Sequence, residues 1–228
     1  MSGKPPRSFA APAGSILQIK IRLLGISPMV WRRLLVPMSY TLHELHGVLQ
    51  AAMGWEGLHL FELRVRGVGY GSFDLHLEDP KVSLESFGFR KNGKLAYIYD
   101  MGDWWEHEVR IEDRLEATPR KRYPACIGGS GACPPEDCGG PEGYSARLEE
   151  ASGYDAWRDM ETIAEWIDDV AVIGDVAMMK DQDRLDELEW AADQMAARKP
   201  YLLAAFSRRT VNARFREEEH RRLMHQWY

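Results

Sequence analysis

Along residues 15 to 24 the chain alternates, with Leu17, Ile19, Ile21 and Leu23 on one side and Ile16, Gln18, Lys20 and Arg22 on the other. A period of two is what a strand needs to bury one face and leave the other to water. After the turn-like GISP, the run VWRRLLVP returns to β-favouring residues and stops at Pro37, which predicts an antiparallel partner and hence a hairpin. The pattern then changes to a period of three and four in TLHELHGVLQAAMGW. Thr41 can cap that helix, Glu44 can reach back to complete a capping box, and Tyr40 can staple onto Leu45. Leu42, Leu45, Leu49 and Met53 form its apolar stripe, and His43, His46 and Gln50 lie on the stripe beside it.

Further strand patterns occur in LHLFELRVRG, KLAYIYD and WEHEVRIEDRL, so the β content is expected to end before residue 116. A Pro- and Gly-rich loop from Tyr123 to Gly143 follows, then helices around 144 to 151 and 155 to 168. Strands first and helices afterwards predict an α+β fold with a mainly antiparallel sheet and packed helices, not an α/β alternation. Past residue 174, Met178, Leu185, Leu188, Ala192, Met195 and Leu202 recur at helical spacing, with Pro200 expected to interrupt the helix and a last helix after it. The expected organisation is a flexible leader over 1–14, an α+β domain over 15–168 and a C-terminal helical extension over 169–228.

Composition adjusts this picture only slightly. Hydrophobic residues are 45% and charged residues 28% of 228, which suits a folded chain. The formal charge of −6 argues against a uniformly basic nucleic-acid binder. No stretch reaches the roughly 20 apolar residues that span a bilayer, and the first residues lack the apolar run of a secretory signal. Three cysteines cannot all pair within the chain, so the expectation is no membrane residence and a reducing cytoplasm.

Three long strings carry a resemblance. TLHELHGVLQAAMGWEGLHLF, YIYDMGDWWEHEV and YPACIGGSGACPPEDCGGPEGY, in that order and spacing, resemble the plasmid pRiA4b ORF-3-like family over roughly residues 15 to 168. The resemblance implies an α+β fold and occurrence on plasmids and beside insertion elements, and it implies no particular reaction. Matching its motif singles out His46, Gln50, Trp55, His59, Tyr99, Asp100, Gly102, Asp103, Trp105, His107, Cys126, Pro134, Pro135, Glu136, Asp137, Gly139, Gly140 and Tyr144. The helical tail departs from the family pattern.

The candidate chemistry lies in two of those strings. Asp100, Asp103, Glu106 and His107 fall within eight residues on a turn between two strands, where they can share a proton or a hard cation; equally, Asp100 and Asp103 can bond the turn's amides while His107 packs. Glu136 and Asp137 in the rigid PPED bend can supply Asp103 with further oxygen ligands for magnesium or manganese, or they can cap the next helix. Cys126, Cys133 and Cys138 form C-x6-C-x4-C, three thiolates that zinc can take, although the spacing is not that of paired knuckles. His46, Gln50, Trp55, His59, Tyr99, Trp105 and Tyr144 make up the expected recognition surface, with core packing as the plain alternative for the aromatic rings.

In the tail, Arg208, Arg209, Arg214, Arg216, Arg221 and Arg222 are interleaved with Glu217 to Glu219, while Val211, Phe215, Leu223 and Trp227 recur at multiples of four. That pattern favours a docked helix over a phosphate-binding one. Two functional expectations stand side by side. One is a non-catalytic recognition or accessory module with a macromolecular partner, DNA or another protein, in plasmid or transposon transactions. The other is a metal-dependent hydrolase of phosphodiesterase or nuclease type built on Asp100, Asp103, His107, Glu136 and Asp137. Self-association through the C-terminal helices is a third role.

Overall fold

A computed structural model describes residues 14–202 and 205–225. Its centre is a seven-stranded sheet, antiparallel at every pairing, in the order β4-β3-β5-β6-β1-β2-β7. The strands are β1 (Ser15–Leu23), β2 (Trp31–Pro37), β3 (Phe61–Val65), β4 (Val68–Gly71), β5 (Lys94–Tyr99), β6 (Trp105–Glu116) and β7 (Ala125–Ser130). The β1–β2 hairpin forms as its alternation predicts, with Ile19 opposite Leu34 and Ile21 opposite Arg32.

One face of the sheet is ionic. Arg22 pairs with Glu108 at 3.1 Å, and Arg33 pairs with Glu112 at 2.6 Å, while Gln18 also donates to Glu112. The other face is apolar and aromatic, and helix α1 (Leu42–Met53) packs on it. Thr41 and Glu44 form the full capping box, and Gly54 ends the helix in a left-handed conformation. The predicted stripe of Leu42, Leu45, Leu49 and Met53 is buried, and so are His43, His46 and Gln50 beside it.

Two expectations are corrected by the structure. Residues 125–130 belong to no loop but form edge strand β7, although ACIGGS has little strand propensity, because β2 supplies a ladder for it. Asn212 then closes the outer side of that edge, accepting from Cys126 N and donating to Cys126 O, both at 2.9 Å. Pro200 does not interrupt its helix: α4 runs Gln182–Leu202 with Pro200 in its last turn, where few helical residues remain to feel the missing donor.

The described chain forms two compact units, one that runs to Pro141 and resumes at Ala205, and one that starts at Glu142. In the first unit, α5 (Arg208–Arg216) and α6 (Glu219–Leu223) return to α1 and bury Val211, Phe215 and Leu223. The sequence pattern anticipated this docking, except that the tail makes two short helices instead of one; Trp227 lies outside the described residues, as do residues 1–13. Gly47 permits the close approach, since a Cβ there would come within 2.0 Å of the His220 carbonyl oxygen.

The second unit contains α3 (Tyr154–Ile167) and α4, preceded by α2 (Gly140–Ala151), which begins in the first unit. Arg198 and Asp159 form a buried ion pair between α4 and α3, at 2.5 Å. Outward on α3, Tyr154, Trp157, Met160 and Ile167 are exposed.

Candidate functional site

Strand β5 delivers Tyr99 and then breaks sharply, because Asp100 takes a left-handed backbone with φ of 60°. Asp100 Oδ1 accepts from the amides of Gly102 at 2.9 Å and Asp103 at 3.2 Å, so the carboxylate organises the turn. Its other oxygen stays clear of the turn and lies 3.7 Å from His59 Nε2. Asp137, also left-handed with φ of 56°, places Oδ1 at 3.2 Å from the same nitrogen. His59 Nε2 is shielded from solvent and completes no well-aligned hydrogen bond among the described residues. Among those residues, His59, Asp100 and Asp137 are the only three His, Cys, Asp or Glu side chains that bring one donor atom each within 4.8 Å of one another.

Three separate stretches meet there, and hydrogen bonds hold them. The Tyr99 hydroxyl donates to Glu136 Oε1 and accepts from the amides of Leu58 at 2.9 Å and His59 at 3.4 Å. Glu136 Oε2 accepts from the Glu56 amide at 2.9 Å, and the Trp55 indole donates to the Pro134 carbonyl at 2.9 Å. Asp103 Oδ2 accepts from the Gly139 amide at 3.1 Å. Gly140, with φ of +68°, lets the loop lie against the Asp103 backbone, where a Cβ would meet the carbonyl oxygen at 2.4 Å. Burial, and then the bond to Glu136, raise the Tyr99 pKa, which keeps its hydroxyl protonated as a donor.

The remaining predicted residues are placed as follows. His107 lies wholly inside the sheet, with Nδ1 3.2 Å from the Tyr97 carbonyl; because that oxygen only accepts, Nδ1 carries the proton. Burial lowers its pKa to about 4. His46 Nδ1 and Gln50 Nε2 both meet the Tyr97 hydroxyl, at 2.9 and 2.7 Å, and burial lowers the His46 pKa to about 3. Both imidazoles are therefore neutral near pH 7. Trp55 stacks on Tyr99 at 4.9 Å and meets His107 edge-on at 5.3 Å, while Trp105 is fully buried beside Trp55. Tyr144 belongs to the helical unit and packs near Tyr201. Among the described residues no disulfide joins Cys126, Cys133 and Cys138, and burial raises the pKa of the first two.

Pattern alone missed Arg32 and gave Arg214 only as one of the tail's basic residues, yet both support this region. Arg32, buried within β2, donates to the carbonyls of Ala52 at 3.0 Å and Ser130 at 2.9 Å. Arg214 of α5 donates to the Ala51 and Trp55 carbonyls, at 3.2 and 2.9 Å, and pairs with Glu219. One signal pointed to Arg214: α1 has no basic residue in its last turn, which leaves its final carbonyls to a donor from elsewhere.

An antiparallel α+β domain with an imidazole and two carboxylates gathered where a Pro- and Gly-rich loop latches onto the sheet defines the class of protein. The profile of the plasmid pRiA4b ORF-3-like family matches residues 15–181, and the chain belongs to that family. It is 40% identical over 158 residues to the uncharacterised protein y4hQ of Sinorhizobium fredii (strain NBRC 101917 / NGR234), a match that spans 67% of this chain and 80% of y4hQ. The crystal structure of MM3350, a protein of unknown function from Methanosarcina mazei Go1, superimposes with a TM-score of 0.57 at 33% identity, over 64% of this chain and 86% of that one.

Proposed function

We propose that this chain is a divalent-metal protein in which His59, Asp100 and Asp137 hold one ion that activates a water molecule for hydrolysis. The observation that carries the reading is His59 Nε2, shielded from water, without an aligned hydrogen bond, and set between two carboxylates. Donors around a zinc ion lie about 2.1 Å from it, so opposed pairs are at most about 4.2 Å apart, and only a small closure from the present spread is needed. Asp137, with its side chain 70% exposed, has the room to move in that closure. One nitrogen and two carboxylate oxygens suit zinc or manganese better than magnesium, which prefers an all-oxygen shell. Three protein ligands leave positions for water, whose pKa a bound zinc ion brings to about 7.

This ligand set replaces the grouping of Asp103, Glu136 and Asp137. Asp103 is engaged by the Gly139 amide and Glu136 by Tyr99 and Glu56, which makes them the braces of the site in this reading. With those carboxylates close by, a neutral or cationic substrate is favoured over a polyanionic one, because repulsion would raise the cost of bringing phosphates in.

The test is elemental analysis of purified protein after dialysis against zinc or manganese. About one equivalent is expected in the wild type and none in His59→Ala or Asp100→Asn, with Glu112→Gln as a control that retains it. A wild type that binds no ion, or a His59→Ala that binds as well, sinks the reading.

A second reading, recognition of nucleic acid, is favoured by one observation: Arg208, Arg209, Arg216, Arg221 and Arg222 are all exposed on α5 and α6. Exposed Glu217 and Glu218 beside them blunt that attraction. Salt-dependent binding to duplex DNA that disappears in Arg208→Ala/Arg209→Ala/Arg216→Ala supports it, and salt-independent or absent binding removes it.

A further inference from the structure

On the β4 side of the sheet the chain encloses a cleft of about 630 Å³, within the roughly 300–1,000 Å³ of small-molecule sites. Leu60, Leu77 and Pro80 give it an apolar lining, and Phe73, 78% exposed, adds an unpacked ring. Its walls are already fixed by the backbone. The amide of Gly71 donates to the Glu78 carbonyl at 3.3 Å, and the Glu78 amide donates to the Gly69 carbonyl at 3.1 Å. Leu60 stands one residue after His59, and its carbonyl accepts from the Asp100 amide at 2.9 Å.

The charge on the cleft is one-sided. Asp74, Glu78 and Asp79 line it and are exposed, against the single cation Lys81. Neither Asp74 nor Glu78 has an ion-pair partner within 4.0 Å among the described residues, and Asp79 only accepts from the Lys81 amide. An exposed aromatic ring beside uncompensated carboxylates matches a ligand of opposite character: an apolar body to cover the ring and a cation to meet the acids. Anions are disfavoured by the same charges.

We infer that this cleft binds a small organic cation, an ammonium or guanidinium carried on an apolar chain or ring. The cleft alone carries the inference, which stands whether or not His59, Asp100 and Asp137 hold an ion.

The test is an amide chemical-shift titration of the full chain in a chelating buffer with three probes. Phenethylamine has the ring and the charge, phenylacetate the ring with the opposite charge, and methylamine the charge alone. Phenethylamine is expected to saturate at millimolar concentration with shifts centred on Phe73, Leu77 and Glu78, while phenylacetate and methylamine leave those amides unmoved. The double variant Asp74→Asn/Glu78→Gln should weaken phenethylamine about fivefold, as two surface charge contacts of modest strength require. Phe73→Ala, a change at an exposed side chain that leaves the fold intact, should abolish saturation.

Equal binding of phenylacetate, affinity unchanged by the charge-neutral variant, or no saturation by phenethylamine overturns the inference. Repeating the titration on Asp137→Asn separates the two proposals: loss of the metal site leaves amine binding unchanged.

Discussion

At the scale of single residues, the Tyr99 hydroxyl connects two of the three proposed ligands. It accepts from the His59 amide and donates to Glu136, the neighbour of Asp137. Tyr99→Phe keeps the stacking on Trp55 but removes both links, so metal affinity should fall about 10- to 100-fold, the usual effect of losing an outer partner of a metal ligand. Competition against a chromogenic chelator measures this, and unchanged affinity would show that the latch does not matter. The buried histidines have a different consequence. Burial depresses the pKa of His46 to about 3 and of His107 to about 4, against 6.5 for a free imidazole. Below about pH 6.5 the unfolded chain therefore binds protons that the folded chain refuses, and stability is lost as pH falls from about 6.5 toward 4. Urea midpoints should decline over that window and stay flat above it. Residue identity was readable here from the sequence, since His46, His59, Tyr99, Asp100 and Asp137 were all singled out; their roles were not, because a lone pair's direction depends on the backbone beneath it.

At the scale of elements, the helix starts and alternations written into the sequence survive almost unchanged. The capping box at Thr41 and Glu44 uses only neighbours along the chain, which is why it could be read directly. Strand β7 could not, because ACIGGS becomes a strand only when β2 lies alongside it and Asn212 closes its edge. Asn212→Ala removes two part-buried hydrogen bonds at that edge and should cost about 1–3 kcal/mol in chemical denaturation. Gly47→Ala tests the α1 contact with α6: its Cβ would overlap the His220 carbonyl, and the helices must separate, at a cost of about 1–3 kcal/mol. A Gly47→Ala protein as stable as wild type would mean that this close packing is absent in solution.

At the scale of the whole molecule, the chain leaves its sheet at Pro141, builds a helical unit from Glu142, and returns at Ala205 to finish the first unit. The tail is thus part of the core: Val211, Phe215 and Leu223 are buried, and Arg214 binds the Ala51 carbonyl in the last turn of α1 and the Trp55 carbonyl just past it. Removing residues 205–228 should cost the first unit roughly 4.5–9 kcal/mol, taking roughly 1.5–3 kcal/mol for each of the three large apolar side chains lost, and a thermal scan should show its transition lowered or gone.

By itself the sequence determined the fold class, the first hairpin, the capped helix and the family, because periodicity and capping act between residues a few positions apart. Only the tertiary structure decided that His59, Asp100 and Asp137 face one another, that a glycine-rich loop contains a strand, and that the tail completes the first unit. Those relations join positions tens to more than a hundred residues apart, and the local pattern at each end is the same whether or not the partner arrives.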